Sequence, residues 1–229
     1  MAWLWNNLDL VLGLTAEHAR LSGIPILVGF AASLPLGWLA SRSRIARGIL
    51  LTVFNVLYTV PALALFVVLP GILGTKILDQ LNVVVALTIY AVAMMLRGAI
   101  DAFGSVSPDV LQSATAQGFS PASRFWTVQL PLAGPVLLAN LRVVAVSTVS
   151  LLSVAALIGS GGLGYLFTNG YQRYFIEEIV VGIVFTVLLA FVFDGILVLA
   201  GRLLMPWSRR AKTPTQIPFL KAVVPGRSA

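Results

Sequence analysis

The chain has 229 residues, of which 59% are hydrophobic and only 10% are charged, and its mean hydropathy is +0.97. This polar content is too small to coat a water-facing globule, so the composition predicts a membrane protein. The absence of cysteine excludes a disulfide framework and thiolate metal sites. The net charge of +7 does not indicate nucleic-acid binding, because the basic residues lie in short breaks between apolar runs and suit lipid headgroups.

The N-terminal stretch MAWLWNNLDLVLGL lacks the positive region and the small-residue cleavage site of a signal peptide. Trp3 and Trp5 are typical interfacial anchors, so residues 1–20 are predicted to form an outer interfacial segment with a short surface helix. His18 is the single histidine of the chain and cannot build a metal site alone. It is predicted to be a polar residue that flanks a membrane span.

Apolar runs of roughly 17 to 25 residues are long enough to cross a bilayer as helices. The sequence contains five, at about residues 21–40, 49–69, 81–97, 135–158 and 179–201. The runs are continuous rather than alternating with period two, so they predict helices and not a barrel. The fold class is therefore predicted to be all-α, a polytopic membrane protein with a transmembrane domain over residues 21–204.

The positions of Lys and Arg predict that the N-terminus lies outside and the C-terminus inside. Three basic residues, Arg20, Lys76 and Arg173, fall on the predicted outer side, and Arg142 lies within the fourth span. The segment 205–229 is basic and contains several prolines, so we expect a mobile cytoplasmic tail near the headgroups. The predicted inner side receives Arg42, Arg44, Arg47, Arg97, Arg124, Arg202, Arg209, Arg210, Lys212, Lys221 and Arg227.

A polar segment separates the third and fourth predicted spans. The Ser-Pro pairs at 107–108 and 120–121 each predict a helix start, with a hydroxyl cap and proline at the first helical position. Gly118 fits the left-handed end of the first helix, and the second helix is expected to end before Pro131. The pattern predicts a cytoplasmic helical hairpin over residues 107–131. Either a plain connector or an element that docks on a partner and transmits displacement to the adjoining spans fits this pattern.

Two spans contain features that a simple apolar helix lacks. Pro61 should kink the second span, either as a structural bend or as a bend that lines a pathway. Asp194 in the fifth span and Arg142 in the fourth lie roughly 10 to 13 Å from the inner ends of their helices, so they are predicted to pair. A structural lock is preferred over direct substrate contact for this pair, and a proton relay is the competing interpretation.

Residues 159–164, GSGGLG, formally match a dinucleotide-binding pattern, but they follow an apolar helix rather than a strand. We therefore predict a tightly turned outer loop. No phosphate-binding G-x-x-x-x-G-K-[ST] motif occurs, so ATP would have to be hydrolysed by another chain. Glu177 and Glu178 are adjacent acids without partners in the sequence and do not make the cluster that a membrane enzyme needs.

The hairpin resembles the cytoplasmic coupling loop of ABC-importer permease subunits. That loop usually reads EAA, three residues, Gly, nine residues, Ile, any residue, Leu-Pro. Gln112 replaces the usual glutamate, Ser113 the first alanine and Val128 the isoleucine, so one possible charge contact with the ATPase is lost. The resemblance implies that the loop inserts into a groove on the ATPase through the residues Gln112, Ser113, Ala114, Gly118, Phe119, Ser120, Pro121, Val128, Leu130 and Pro131.

Two further stretches, TVPALALF at 59–66 and ALIGSGGLG at 156–164, are similar to osmoprotectant permeases, which import glycine betaine, carnitine and choline. The resemblance implies a bacterial inner-membrane subunit without a cofactor of its own. Its partners would be ABC ATPases, an extracytoplasmic substrate-binding protein, and a second permease copy or a homologous permease. The implied pathway or gate residues are Tyr58, Thr59, Pro61, Phe66, Gly161 and Gly162.

The alternatives are a secondary transporter driven by an ion gradient and an ABC permease for another small solute, such as an amino acid. Aromatic faces can hold a quaternary ammonium, and Trp38, Tyr58, Tyr90 and Tyr165 are available. Aromatic residues in spans usually pack or anchor, and the resemblance assigns the selective cage to the binding protein. The sequence alone therefore assigns no substrate site to these residues.

Overall fold

A computed structural model describes residues 2–211, which are mostly helical and contain no strand. The C-terminal part of the predicted tail, from residue 212 onward, lies outside the described residues. Three short segments have other helical geometries: a π-helix at Phe125–Gln129 and 3₁₀-helices at Ala156–Ile158 and Pro206–Ala211. The α-helices are α1 (Ala2–Asn6), α2 (Leu8–Arg42), α3 (Arg44–Thr59), α4 (Ala62–Leu73), α5 (Gln80–Gly104), α6 (Pro108–Ala116), α7 (Pro121–Arg124), α8 (Leu130–Ala155), α9 (Gly164–Gln172) and α10 (Ile176–Leu204).

Four helical stretches in the described part of the chain are long and apolar enough to cross a membrane, namely α2, α5, Pro121–Ile158 and α10. The pair α3 and α4 makes a fifth if it is counted as one broken span. The predicted all-α membrane fold is confirmed. The first helix differs from the prediction, because α2 begins at Leu8 and continues without a break through residue 20. Trp3, predicted as an interfacial anchor, also makes a contact within the protein, because its ring packs edge-on against Phe175 at 5.9 Å.

The second predicted span is not one kinked helix. Helices α3 and α4 meet at 103°, with Val60 and Pro61 in extended conformations between them. Proline lacks the amide hydrogen that would continue α3 and disfavours a helical conformation at the residue before it. The predicted kink at Pro61 is therefore a full break of the helix, and the prediction of a continuous span over 49–69 was wrong.

The second helix of the hairpin also differs from the prediction, because it does not end before Pro131. The chain runs from α7 through the π-helical segment directly into α8, where the amide of Leu130 donates to the carbonyl of Phe125. A π-helical turn is wider than an α-turn and commonly accommodates an interruption of the regular ladder. Here it lies immediately before Pro131, whose ring would clash with a regular preceding turn. The hairpin is thus continuous with a membrane helix.

Helix α5 lies at the centre of the bundle, packed against α2, α8 and α4, whereas α10 lies at its edge. Small residues allow α2 to approach α5 closely. Gly29, Ser33 and Gly37 recur every four residues on α2, and the two glycines face Ala91 and Ala99 of α5. Lipid provides little hydrophobic force between helices, so such close van der Waals packing stabilises their association.

A methyl group at Gly37 should disrupt this packing, because its Cβ would lie 2.6 Å from the Cβ of Ala99. We expect Gly37→Ala to lower the free energy of unfolding by about 1–3 kcal/mol, the usual cost of overpacking. Gly13→Ala on the same helix is the matched control, since a Cβ there meets nothing within 4 Å. Thermal unfolding in detergent should show a lower midpoint for Gly37→Ala and an unchanged or higher midpoint for Gly13→Ala. Equal midpoints for the two variants would contradict the close-packing account.

Candidate functional site

The hairpin is internally fixed by caps and a glycine turn. The Ser107 hydroxyl accepts from the Asp109 amide at 3.3 Å, and the Ser120 hydroxyl accepts from the Ser123 amide at 3.2 Å. Gly118 has φ of +87°, a conformation that favours glycine. The resulting turn closes with a hydrogen bond from the Phe119 amide to the Ala114 carbonyl, the pattern of a left-handed helix end. These bonds hold α6 and α7 in one arrangement.

The residues of the predicted coupling loop divide into an exposed set and a packed set. Ala114 is buried, and the partly buried members are Phe119, Val128, Leu130 and Pro131. The packed residues fix the hairpin to the bundle. The exposed ones form the surface that is open to a partner, and they are Gln112, Ser113, Gly118, Ser120 and Pro121.

Aromatic side chains join the hairpin to two membrane helices; we call Trp38, Phe103 and Phe125 the aromatic anchor. The Trp38 ring of α2 packs edge-on against Phe125 at 5.4 Å, and Phe103 of α5 lies 5.7 Å from the same ring. The Trp38 indole also donates to the side-chain oxygen of buried Gln129 at 3.2 Å. Arg42, one turn further along α2, places its guanidinium 4.0 Å from the Trp38 ring centroid, within cation–π range. The hairpin is therefore held by α2 and α5 as well as by its continuity with α8.

The break between α3 and α4 opens onto a cavity of about 320 Å³. Tyr58, Thr59 and Pro61 line it, together with Tyr90 and Met94 of α5. The Tyr58 and Tyr90 rings pack edge to face at 5.8 Å, and the Tyr90 hydroxyl donates to the carbonyl of Val60 in the break. A second cavity of about 370 Å³ adjoins it along Tyr58, Met94 and Ser147, and both lie between α3, α5 and α8.

Phe66 does not line either cavity. It is fully buried in a cluster with Leu21 of α2, Leu87 of α5 and Leu152 of α8. Its ring faces the bundle core because α4 turns away from α3 at the break. The pathway role of Phe66 stays a prediction, and its buried position indicates a packing role.

At the end of the bundle opposite the hairpin, the glycine loop 159–164 is tied to α2. The Gly162 amide donates to Glu17 Oε2 at 2.9 Å, and Gly162 has φ of +84°. At Gly161 a side chain would clash with the Glu17 carboxylate, since a Cβ would lie 2.3 Å from Oε2. Gln80 of α5 donates to the other Glu17 oxygen at 2.5 Å, so one carboxylate joins α2, α5 and the loop.

His18, predicted as a polar residue that flanks a span, is fully buried in the bundle. Its Nδ1 accepts from the Leu163 amide at 3.1 Å, which leaves Nε2 to donate to the Val149 carbonyl at 2.9 Å. The imidazole thus bridges α2, α8 and the glycine loop. Within the described residues no group of three or more His, Asp or Glu side chains is arranged to hold a metal ion.

Arg142 and Asp194 form a bidentate contact between α8 and α10. Arg142 Nε donates to Asp194 Oδ1 at 2.6 Å, and Nη2 donates to Oδ2 at 2.8 Å. Two parallel hydrogen bonds to a guanidinium are the strongest geometry for such a pair. Both side chains are partly exposed at the side of the bundle, at 42% and 27%. The pair therefore fixes the peripheral helix α10 to α8.

Glu178, the second of the adjacent acids at the start of α10, packs between α9 and α10. The Glu178 side chain is fully buried, accepts from Asn169 at 2.6 Å and lies 3.6 Å from a nitrogen of Arg173. These contacts hold α9 against α10. Glu178 is therefore a buried packing residue that one neutral amide and one basic side chain contact.

These features define a polytopic helical membrane protein with an anchored hairpin between two central helices. The sequence family described as "Binding-protein-dependent transport system inner membrane component" matches residues 33–210. The chain belongs to this family, and it is a multi-pass protein of the inner membrane.

Relatives and solved structures agree with this membership. The choline transport system permease protein OpuBB of Bacillus subtilis is 32% identical over 192 residues, covering 84% of this chain and 87% of that protein. The osmoprotectant import permease protein OsmW of Salmonella typhimurium is 28% identical over 198 residues, covering 85% and 92%. A chain of the inward-facing MetNI methionine ABC transporter has the same fold, with a TM-score of 0.71 and 21% identity over 84% of this chain and 96% of that chain.

Sequence reasoning missed several residues that the structure places in these sites. Glu17 and His18 bind the glycine loop from more than 140 positions away, and no local pattern indicates this contact. Asn55 and Asn140 lie in the second cavity and were not singled out as polar residues within apolar spans. The four-residue spacing of Trp38 and Arg42 was a local signal for the stacked pair in the aromatic anchor.

Proposed function

We propose that this chain is the transmembrane subunit of an ATP-driven ABC importer of a small osmoprotectant, such as glycine betaine, choline or carnitine. An external binding protein delivers the solute, and a second permease copy or a similar permease completes the pathway. ATP is hydrolysed on separate ATPase subunits, on which the hairpin docks. The family and the relatives named for choline and osmoprotectant transport support this proposal.

The observation that carries the proposal is the position of the hairpin between α5 and α8, two of the three helices that line the cavities. Helix α5 contributes Tyr90 and Met94 to the cavity wall and ends just before the hairpin, whereas α8 contributes Ser147 and begins where the hairpin ends. A displacement of the hairpin therefore moves both walls. The motor that supplies this displacement is the ATPase, and Gln112 at the exposed surface offers it a neutral contact in place of the usual carboxylate.

The distribution of charge supports an orientation with the hairpin in the cytoplasm. Arg42, Arg44, Arg124 and Arg202 all lie at helix ends on the hairpin side of the bundle. Lys and Arg concentrate on the cytoplasmic side of membrane proteins. This orientation places the N-terminus and the glycine loop outside, where Gly161 and Gly162 act in the external gate in our proposal.

We also propose roles for the other predicted residues. Tyr58, Thr59 and Pro61 line the translocation pathway at the break between α3 and α4. The Arg142–Asp194 pair is a structural lock, because a carboxylate engaged by two guanidinium hydrogen bonds is a poor proton relay. This argues against an ion-gradient mechanism that uses Asp194.

ATP dependence tests the proposal. We expect proteoliposomes that contain this chain, its ATPase and its binding protein to accumulate labelled glycine betaine, choline or carnitine with ATP inside, and to continue when ion gradients are collapsed. A catalytic-base variant of the ATPase is the matched control and should abolish uptake. Gradient-driven uptake without nucleotide would overturn the proposal in favour of a secondary transporter, and ATP-driven uptake of amino acids alone would overturn the solute class.

A further inference from the structure

The second cavity lies between three membrane helices and has a polar wall. Three helices contribute its polar residues. They are Asn55 and Tyr58, one turn apart on α3, Arg97 on α5, and Asn140 and Ser147, two turns apart on α8. Polar groups inside spans are costly unless they face water, protein or a ligand. The volume of about 370 Å³ falls in the range of small-molecule sites.

Arg97 supplies a positive charge that has no acidic partner among the described residues. In the part of the chain that the structure describes, its guanidinium contacts the neutral Asn55 amide oxygen at 3.3 Å and no carboxylate. Arg97 is exposed to the cavity although its neighbours Leu96 and Gly98 are buried. By contrast, the guanidinium of Arg142 in α8 is engaged by a carboxylate. An arginine that faces a cavity without a carboxylate beside it can receive an anionic group from a ligand.

The other end of the cavity suits a cation. The Tyr58 ring is half exposed, and its edge-to-face packing against buried Tyr90 holds it in place. Helix α3 also ends here, at Thr59, and its C-terminus carries the negative end of the helix dipole. An aromatic face together with a helix C-terminus is a favourable environment for a quaternary ammonium, which cannot donate ordinary hydrogen bonds.

Both ends line the same cavity. Tyr58 lies one helical turn from Asn55, a rise of roughly 5 Å along α3, and Asn55 contacts Arg97. We propose that this cavity is a transient site for a zwitterionic quaternary amine, with the trimethylammonium group on Tyr58 and the carboxylate on Arg97. The site discriminates against a cation that lacks a carboxylate, such as choline, because Arg97 then repels it.

This inference rests on the proposed function and deepens it, and one experiment separates the two. The full importer, without its binding protein, is placed in nanodiscs, and saturation-transfer NMR is recorded on the methyl protons of glycine betaine and of choline. We expect wild type to transfer at least about threefold more saturation to glycine betaine than to choline. Arg97→Gln should remove this preference and Arg97→Lys should retain it. Tyr58→Leu should abolish transfer to both solutes, whereas Tyr58→Phe should preserve it.

Three NMR results would overturn the inference. They are equal transfer to both solutes in wild type, no transfer in wild type, and signals of Tyr58→Leu and Arg97→Gln that match those of wild type. Uptake is measured in parallel with the binding protein and ATP. Wild-type uptake of a quaternary amine combined with one of those NMR results would overturn this site alone. If none of glycine betaine, choline and carnitine is taken up, the proposed function itself fails. Co-elution of each variant with the ATPase subunits in size-exclusion chromatography shows that the complex is assembled.

Discussion

Replacement of Trp38 by alanine should separate ATP hydrolysis from transport. The substitution removes the edge-on contact with Phe125, the hydrogen bond to Gln129 and the ring that Arg42 covers. Deletion of such a side chain typically costs about 3 kcal/mol. The cost falls on the contact between α2 and the π-helical segment, so a displacement of the hairpin is no longer passed to α2, although the hairpin stays joined to α5 and α8. We expect uptake to fall by more than about tenfold while the ATPase continues to turn over.

Trp5→Ala is the matched control for this prediction, because Trp5 is 73% exposed and lies far from the hairpin. It should leave both uptake and ATPase activity near the wild-type values. The measurement is the number of solute molecules taken up per ATP hydrolysed in proteoliposomes. If Trp38→Ala lowers uptake and ATPase activity in equal proportion, the anchor stabilises the assembly without transmitting motion, and its coupling role is contradicted.

Removal of a single partner from the Arg142–Asp194 pair should impair folding in the membrane. Asp194→Ala leaves a guanidinium at membrane depth without the carboxylate that both of its hydrogen bonds reach. An ion deprived of its partner in a medium of low dielectric constant is strongly destabilising. We expect a severe loss of folded protein in detergent extracts. The exchanged double variant, Arg142→Asp with Asp194→Arg, should recover a large part of it.

A second ion pair of the same chain provides the comparison. Arg47 and Asp101 lie 3.9 Å apart with side chains that are 54% and 63% exposed. Exposed pairs contribute little to stability, so Asp101→Ala should leave the yield of folded protein almost unchanged. The yields are compared by fluorescence-detected size-exclusion chromatography. An exchanged pair that folds no better than Asp194→Ala would show that the two residues act independently.

The sequence predicted the membrane fold because apolar length and continuity depend on local composition. Helix starts at Ser107 and Ser120 were predictable for the same reason, since a cap acts within one turn. Pro131 shows where local rules fail: proline was expected to end a helix, but the preceding π-helical turn accommodates it and keeps the hairpin joined to α8. The packing of Phe66 into the core could not be predicted, because it follows from the 103° angle between α3 and α4.

The candidate sites depend on contacts between distant segments, and this limited their prediction from sequence. The pairing of Arg142 with Asp194 was predictable as a hypothesis, because two opposite charges at similar depth in a membrane favour each other. The tie between Glu17 and the glycine loop was not, since it requires the side-by-side placement of α2 and the end of α8. The second cavity, which Tyr58 and Arg97 line, likewise depends on three helices whose polar residues share no local motif.

Crosslinking at the hairpin tests the central claim, that the hairpin transmits ATP-driven motion to the membrane helices, most directly. The chain has no cysteine, so Ser120→Cys introduces a single thiol on the exposed hairpin surface, and Tyr174→Cys, at a site 93% exposed on the opposite end, is its control. We expect the thiol at position 120 to crosslink to the ATPase subunit and to resist an impermeant thiol reagent added outside. The thiol at position 174 should react with that reagent and should not crosslink to the ATPase subunit. A thiol at position 120 that never captures the ATPase, or that reacts from outside, would contradict the account.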